Sequence, residues 1–290
     1  MGTTSPSPQG FRLSAQQSQL WARLQRDGDL PYRALCALRM EGPLDRGLLR
    51  RAVTEIATRH EILRTTFARF PGLKEPLQVI HSAREPKWQE TRVSPTELPA
   101  AVASLFQKEG ARRSDLEREL PMRLALLTAS PERHVLVMAL PALCADAATL
   151  DNILRETGHA YDELAGGRTN ASPEPIQYAD YAEWQRELFE SADDRSAAGR
   201  QFWRARRAAS RDVPRLPMED RLRPGARFEP NVIPVVFPPE LMAEAAALAA
   251  QEGTSLVSVL RACWAALICR LTGESSLTVG GSIRADGTRD

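Results

Sequence analysis

The alternation of apolar and polar residues along the chain predicts a mixture of helices and strands. Apolar residues recur at helical intervals after Ser14, and Gln17 completes the spacing of a capping box. A second amphipathic helix follows Asp45, which is a candidate N-cap. The continuous apolar run at residues 133–140 predicts a buried strand, and the segment 141–147 is the loop that joins this strand to another helix.

The remaining pattern adds strands and helices in no repeating order. Strands are also predicted at residues 33–42, 65–70, 77–81, 122–128, 232–237 and 277–281, and helices at 95–112, 178–208, 241–250 and 255–271. Pro234 favours an edge position for its strand, because proline has no N–H to donate. A segment rich in Gly, Ser, Asn and Pro spans residues 166–175. The sequence therefore predicts an α+β protein in two parts, divided near residue 175.

Composition favours a globular cytoplasmic protein. Of 290 residues, 43% are hydrophobic and 26% charged, and the formal net charge is +1, which argues against a phosphate-binding surface for nucleic acid. No apolar stretch has the length of a membrane span, and residues 1–10 look like a disordered leader rather than a signal peptide. The four cysteines are dispersed without metal-ligand spacing, so reduced thiols and no metal site are expected.

Several segments match a known set of signatures in order. Residues 59–67 read Arg-His-Glu-Ile-Leu-Arg-Thr-Thr-Phe, and residues 175–185 read Pro-Ile-Gln-Tyr-Ala-Asp-Tyr-Ala-Glu-Trp-Gln. Looser matches lie at residues 13–21, 201–203, 216–221, 271–274 and 277–280. Each is weak alone, but together they resemble the condensation domains of nonribosomal peptide synthetases.

The resemblance implies a fold and a set of partners. It implies two chloramphenicol-acetyltransferase-like lobes in a V-shaped pair, with residues 11–175 as the N-terminal lobe. Residues 176–290 would be linker helices and the first part of a C-terminal lobe that is incomplete in this chain. Upstream and downstream peptidyl carrier proteins would deliver phosphopantetheine arms as substrates into a tunnel between the lobes. An adjacent adenylation domain is expected, no cofactor is expected to bind directly, and neither nucleic acid nor a membrane is an expected partner.

The loop after the buried strand departs from the family pattern. In the family this loop reads His-His-x-x-x-Asp-Gly, with the second histidine at the bond-forming centre. Here Pro141 and Ala142 stand at the histidine positions, Asp146 matches the aspartate, and Ala147 replaces the glycine. Neither Pro141 nor Ala142 can donate or accept a proton through its side chain, so no catalytic residue is assigned. Ala147 would also restrict the backbone where glycine tolerates positive φ.

Structural roles are expected for four residues. Asp146 has two interpretations: it caps the following helix, or it pairs with an arginine of the second lobe, for which Arg284 is the candidate. The resemblance also implies structural roles for Arg64 and for His60, which would pack at a helix end. The cluster of Tyr178, Asp180, Tyr181 and Trp184 has a helical spacing that fits packing against the first lobe better than ligand stacking.

Cys144 and His134 are candidates for lining the tunnel. Cys144 could be a nucleophile with His134 or His159 as its base, but buried cysteine is common, and a packing role is favoured. His134 begins the buried strand, where a hydrogen-bonded structural role is the default. His81 has no motif around it.

Three functions are compatible with these residues. The first is a condensation-family domain that does not form bonds and acts as a scaffold, recruiting a tailoring enzyme to carrier-bound intermediates. The alternative is an active, atypical amide- or ester-forming domain in which substrate positioning carries the rate. The third, a stand-alone acyltransferase, is disfavoured most by the absent histidine.

Overall fold

The computed structural model describes residues 10–27, 32–167, 174–191, 194–208, 215–219, 233–275 and 277–279. The chain divides into two compact units, residues 1–199 and 200–290. The helices are α1 Ala15–Asp27, α2 Arg46–Arg59, α3 Leu98–Gly110, α4 Ala147–Ala165, α5 Tyr178–Glu190, α6 Asp194–Ala208, α7 Pro239–Gln251 and α8 Leu256–Thr272. The strands are β1 Gly10–Phe11, β2 Arg33–Glu41, β3 Thr65–Ala68, β4 Leu77–Ile80, β5 Lys87–Arg92, β6 Arg123–Ser130 and β7 Arg133–Pro141.

A four-stranded sheet with the order β2-β7-β6-β5 forms the centre of the first unit. β7 is antiparallel to both of its neighbours, whereas β5 runs parallel to β6. Side chains of β7 alternate between two cores: Leu136, Met138 and Leu140 pack with α1, α2 and α4, and Val135 and Val137 pack with α3. This two-sided burial explains the continuous apolar run and confirms the predicted buried strand.

The predicted helix starts are formed as expected. Ser14 N–H donates to Gln17 Oε1 at 3.0 Å, and Gln17 N–H donates to Ser14 Oγ at 3.2 Å, which is a complete capping box. Asp45 Oδ1 accepts from the amide of Leu48 at 3.0 Å and caps α2. These caps fix where α1 and α2 begin relative to the sheet.

A second, three-stranded sheet has the order β1-β4-β3. Gly10, assigned by the sequence to a disordered leader, lies in β1 opposite Val79, while residues 1–9 lie outside the described residues. A side chain at Gly10 would come within 2.8 Å of Leu77, so the close pairing of β1 and β4 requires glycine there.

The helix α5 belongs to the first compact unit, which extends past residue 175 to Gly199. Glu183 Oε1 accepts from the Arg12 amide at 2.9 Å, and Gln185 Oε1 accepts from the Ala15 amide at 3.2 Å. α5 thus docks on the segment that opens the domain, and this docking explains why the compact unit does not end at the low-complexity break.

Two predicted strands are not formed in the described residues. Residues 233–237 and 277–279 have irregular backbone. Val236 is 89% exposed, and Pro234 has no N–H to give to a neighbouring strand. An apolar, β-branched sequence therefore did not suffice to form a strand where no described neighbouring strand pairs with it.

The described helices contain no single span that is long and apolar enough to cross a membrane. Taken together, α7 and α8 have the length and apolar composition of a membrane span, but the pair is bent by 106° at the break between the two helices.

Candidate functional site

The loop at residues 141–147 is held at both ends by backbone hydrogen bonds. Arg33 of β2 lies opposite Pro141, and the Ala142 amide donates to the Tyr32 carbonyl at 2.8 Å. The amides of Cys144 and Ala145 both donate to the Pro141 carbonyl, at 2.9 and 3.2 Å. The loop is therefore a compact turn that continues the β7 ladder, with Ala142 half-buried at its start.

A buried pair of glutamines supports the loop from below. Gln17 Nε2 donates to the Leu143 carbonyl at 3.0 Å and to Gln78 Oε1 at 3.1 Å. Gln78 Nε2 in turn donates to the Arg12 carbonyl at 2.8 Å. Both glutamine side chains are buried and every link is satisfied, so this network stabilises one loop position.

Asp146 caps α4, as one of its two interpretations predicted. Its Oδ1 accepts from the Thr149 amide at 2.8 Å and from the Thr149 hydroxyl at 2.7 Å. These hydrogen bonds hold the pKa of Asp146 below its ordinary value. The other interpretation, a pair with Arg284, falls outside the described residues.

The expected backbone restriction at Ala147 does not arise. Ala147 is the first residue of α4, and no described residue other than glycine has positive φ. Alanine suits this position because the backbone there is helical.

Cys144 is buried, with 6% of its surface exposed. Burial raises its pKa, so the thiol stays protonated and is a poor nucleophile. This geometry favours the packing role over the nucleophilic one.

His134 lies at the opposite end of β7 from the loop. Thr128 Oγ1 lies 3.1 Å from its Nδ1, and the Pro131 carbonyl lies 3.1 Å from its Nε2. Pro141 is seven positions after His134 in the extended strand, a distance of about 24 Å. Both ring nitrogens of His134 thus have partners at the β6–β7 turn, at the far end of the extended β7 from Cys144, and the role of the two residues in lining the tunnel stays a prediction.

The other histidines are also engaged or placed away from the loop. His60 Nε2 lies 2.7 Å from Glu156 Oε2 on α4, and His81 Nε2 lies 2.8 Å from Thr66 Oγ1. His159 is exposed on α4, about 20 Å along the helix from Asp146. The chain has four histidines, and none of them hydrogen-bonds to the loop among the described contacts.

The Arg-His-Glu segment at residues 59–61 is hydrogen-bonded to Gln177, which belongs to the motif at residues 175–185. Gln177 Nε2 donates to the Arg59 carbonyl at 3.0 Å, and Gln177 Oε1 accepts from the Glu61 amide at 2.9 Å. Arg64 donates to the carbonyls of His81 and Thr58. The structure thus places both His60 and Arg64 in structural contacts, and it joins two motifs that are far apart in the sequence.

Tyr178 is a neighbour of the loop that the sequence did not single out as such. Its hydroxyl lies 2.8 Å from Ser14 Oγ, within the capping box of α1. Burial is the main cause of its raised pKa, and the charge of Asp146 acts in the same direction. Tyr178 therefore keeps its proton, and its neutral hydroxyl can donate or accept a hydrogen bond.

Two aromatic residues that were expected to pack on the first lobe are exposed. Trp184 is 57% exposed and Tyr181 is 36% exposed. The buried face of α5 consists instead of Ala179, Ala182 and Gln185. Small residues bring α5 close to the domain, and the large rings lie on its outer face.

A cavity of about 320 Å³ lies beside the loop. Its walls include Pro141 and Leu143 of the loop and Trp21 of α1. Across the described residues, no group of histidine, cysteine or carboxylate side chains could hold a metal ion.

The model of the condensation-domain family matches residues 10–285. CymA of Salinispora arenicola, named as a probable nonribosomal peptide synthetase, is 36% identical over 96% of this chain and 4% of its own length. The isonitrile lipopeptide synthase of Mycobacterium tuberculosis is 32% identical over 98% of this chain and 12% of its own length. The chain thus spans a small part of these relatives.

Solved structures agree in fold. The X-domain from teicoplanin biosynthesis is 27% identical with a TM-score of 0.73, over 92% of this chain and 59% of that one. The first condensation domain of the CDA synthetase has a TM-score of 0.74 at 19% identity, over 92% of this chain and 64% of that one. The predicted chloramphenicol-acetyltransferase-like fold class is confirmed, and the chain belongs to the condensation-domain family of nonribosomal peptide synthetases.

Proposed function

We propose that this domain does not catalyse bond formation efficiently and acts as a scaffold or recruitment domain for carrier-bound intermediates. The observation that carries the proposal is the pair Pro141 and Ala142 at the positions matched to the two histidines of the family motif. A condensation reaction needs a group that orients the amine, takes its proton or stabilises the tetrahedral centre. General acid–base assistance of this kind typically contributes about 10²–10⁴-fold.

Neighbouring groups do not replace the missing imidazole. Cys144 is buried and holds its proton, and Asp146 is engaged with Thr149 and has a lowered pKa, which makes it a weak base. Burial raises the pKa of Tyr178, so it holds its proton and cannot act as a base at neutral pH. These properties support an impaired centre in a fold that is otherwise well kept.

A recruitment role has support from one similar protein. The teicoplanin X-domain has been solved in complex with OxyB, and this chain is 25% identical to that X-domain with a TM-score of 0.71. By analogy, this domain would hold a tailoring enzyme beside an intermediate on a carrier protein. Upstream and downstream carrier proteins and an adjacent adenylation domain would be its further partners, in the cytoplasm, with phosphopantetheine arms as substrates and no cofactor of its own.

The alternative is an active, atypical amide- or ester-forming domain. The specific observation in its favour is that the loop is fully supported, by Tyr32, Gln17 and the Asp146 cap. In that case, alignment of the amine and the thioester carbonyl would supply the rate, because positioning can lower a barrier substantially without a base.

A reconstitution assay separates the two functions. Carrier proteins loaded with donor and acceptor groups are mixed with the domain, and the product is followed by mass spectrometry. A condensation domain that has both histidines is the positive control. Turnover close to that of the control would remove the scaffold proposal. An inactive domain that binds a tailoring enzyme from its own assembly line, and loses binding when surface residues are changed, would remove the alternative.

A further inference from the structure

The cavity beside the loop combines apolar walls with four arginines, Arg33, Arg69, Arg112 and Arg113, of which Arg33 is deeply buried. Its apolar lining consists of Trp21, Leu24, Leu116, Pro141 and Leu143, which come from α1, the segment after α3 and the loop. A volume of about 320 Å³ lies at the lower end of the range for small-molecule sites. The lining lies within the first compact unit.

The buried charge is that of Arg33, at the start of β2. Only 3% of its side chain is exposed. Its Nη1 donates to Ser114 Oγ at 2.5 Å and to the Arg112 carbonyl at 3.2 Å. Its Nε and Nη2 are buried without a hydrogen-bond partner, and Glu109 Oε2 is 3.7 Å from Nη2. Arg33 is therefore a buried cation without a carboxylate at hydrogen-bonding distance.

The two buried or half-buried carboxylates behind Arg33 are held by other arginines. Arg123 donates to both oxygens of Glu109, at 3.0 and 3.1 Å. Arg112 donates to both oxygens of Glu119, at 2.8 Å each. Three arginines thus share two carboxylates, so this cluster has a net positive charge, and its most buried members are Arg33 and Glu109.

Two further carboxylates line the cavity, and both are engaged. Glu117 lies 3.3 Å from Arg69 Nε, and Asp115 Oδ1 accepts from the amides of Glu117 and Arg118 at 3.1 and 3.2 Å. Neither contacts Arg33 among the described hydrogen bonds, so the positive field of Arg33 at the cavity wall is not cancelled by a direct partner.

Ser114 connects Arg33 to the cavity. Its hydroxyl oxygen accepts from Arg33 and its side chain lines the cavity, so its hydroxyl hydrogen remains to donate to a ligand. A hydroxyl that accepts from a guanidinium is polarised into a stronger donor. Ser114 is thus a strengthened donor beside the apolar part of the cavity.

We infer that this cavity binds an apolar chain that carries a carboxylate, with the carboxylate on Ser114 and the chain between Trp21 and the loop. A cation would be repelled by Arg33. A carboxylate matches a neutral hydroxyl donor that is backed by a buried positive charge, and its alkyl chain matches the apolar wall. The identity of the natural ligand, a carrier-bound acyl group with a free carboxylate, rests on the proposed function.

The test uses three probes with the same chain and different heads. Hexanoate, hexan-1-ol and hexylammonium are titrated into the 290-residue protein, and amide shifts in ¹H–¹⁵N NMR spectra give the dissociation constants. Hexanoate is expected to bind most tightly and hexylammonium most weakly, with the largest shifts at Ser114 and Leu143. Equal binding of hexanoate and hexan-1-ol, or the absence of a saturable shift, would overturn the inference without any need for a variant.

A matched pair of variants locates the donor. Ser114→Ala is expected to weaken hexanoate about tenfold or more, because a hydrogen bond to a charged group is lost, and to leave hexan-1-ol nearly unchanged. Ser130→Ala, at the β6–β7 turn, is the control and should leave both unchanged. An unchanged hexanoate affinity in Ser114→Ala would overturn the assignment of the donor. Because no carrier protein is present, the result is independent of whether the domain forms bonds.

Discussion

The side-chain amide of Gln17 donates to the carbonyl of Leu143 at 3.0 Å and joins the capping box of α1 to the loop after β7. The same amide group also reaches Gln78, so one buried side chain connects the first helix, the small sheet and the candidate site. The position of the loop therefore depends on a residue 126 positions earlier in the chain.

Removing that side chain should destabilise the domain. In Gln17→Ala the Leu143 carbonyl, the Ser14 amide and the Gln78 side chain each lose a hydrogen bond in a buried place. We expect the free energy of unfolding to fall by about 2–4 kcal/mol, measured by urea denaturation. Gln19→Ala, on the exposed face of α1, is the control and should change it by less than about 0.5 kcal/mol. A similar loss in both variants would mean that the network does not support the fold.

Substitutions of Asp146 distinguish its two roles. Asparagine also accepts at an N-cap, so Asp146→Asn should keep most of the stability, whereas Asp146→Ala should cost about 1 kcal/mol. Because hydrogen bonds lower the pKa of Asp146 in the folded state, its stabilising contribution is complete above the ordinary aspartate pKa. It is lost as the pH falls through the lowered value. If Asn and Ala cost the same in urea titrations at neutral pH, the charge matters more than the cap, as a pair with Arg284 would require.

Cys144 should resist alkylation in the folded protein. Burial raises its pKa, so at pH 8.5 it lacks the thiolate that reacts with iodoacetamide, whereas Cys263 is exposed. Peptide mass spectrometry should find Cys263 labelled first and Cys144 labelled only in urea. Above the ordinary thiol pKa, Cys144 ionises in the unfolded chain but not in the folded chain. The free energy of unfolding should therefore fall as the pH rises past that value. Equal labelling of the two thiols without urea would place Cys144 at an open surface.

The fold was predictable where local chemistry determines it. The caps at Ser14, Asp45 and Asp146 and the two-sided burial of β7 all follow from nearby residues. β5 was missed because its sequence, Lys-Trp-Gln-Glu-Thr-Arg, is almost entirely polar and pairs in parallel with β6, an arrangement that no local pattern encodes.

The candidate site was predictable in part. The loop, with Pro141 and Ala142 where the family resemblance places two histidines, is visible in the sequence, but its support is not. Gln17, Gln78 and Tyr178 come from three distant segments, and only the folded chain brings them to the loop. Gln78 is the one polar residue of the short strand β4, and nothing in that sequence indicated that it is only 1% exposed. The outward position of Trp184 was also unexpected, because alanines take the buried face of α5.

The central proposal is that position 142 lacks the proton-handling group that the family motif places there. The most direct test compares the wild type with Ala142→His in the carrier-protein assay, with Ala142→Asn as a polar control of similar size. The Ala142 backbone is fixed by the Tyr32 carbonyl, so an added imidazole should stand where the family keeps one. We expect no product above background from the wild type or Ala142→Asn, and a gain of at least about 10²-fold from Ala142→His. Wild-type turnover equal to that of a condensation domain with both histidines, or a folded Ala142→His variant that makes no product, would contradict the account.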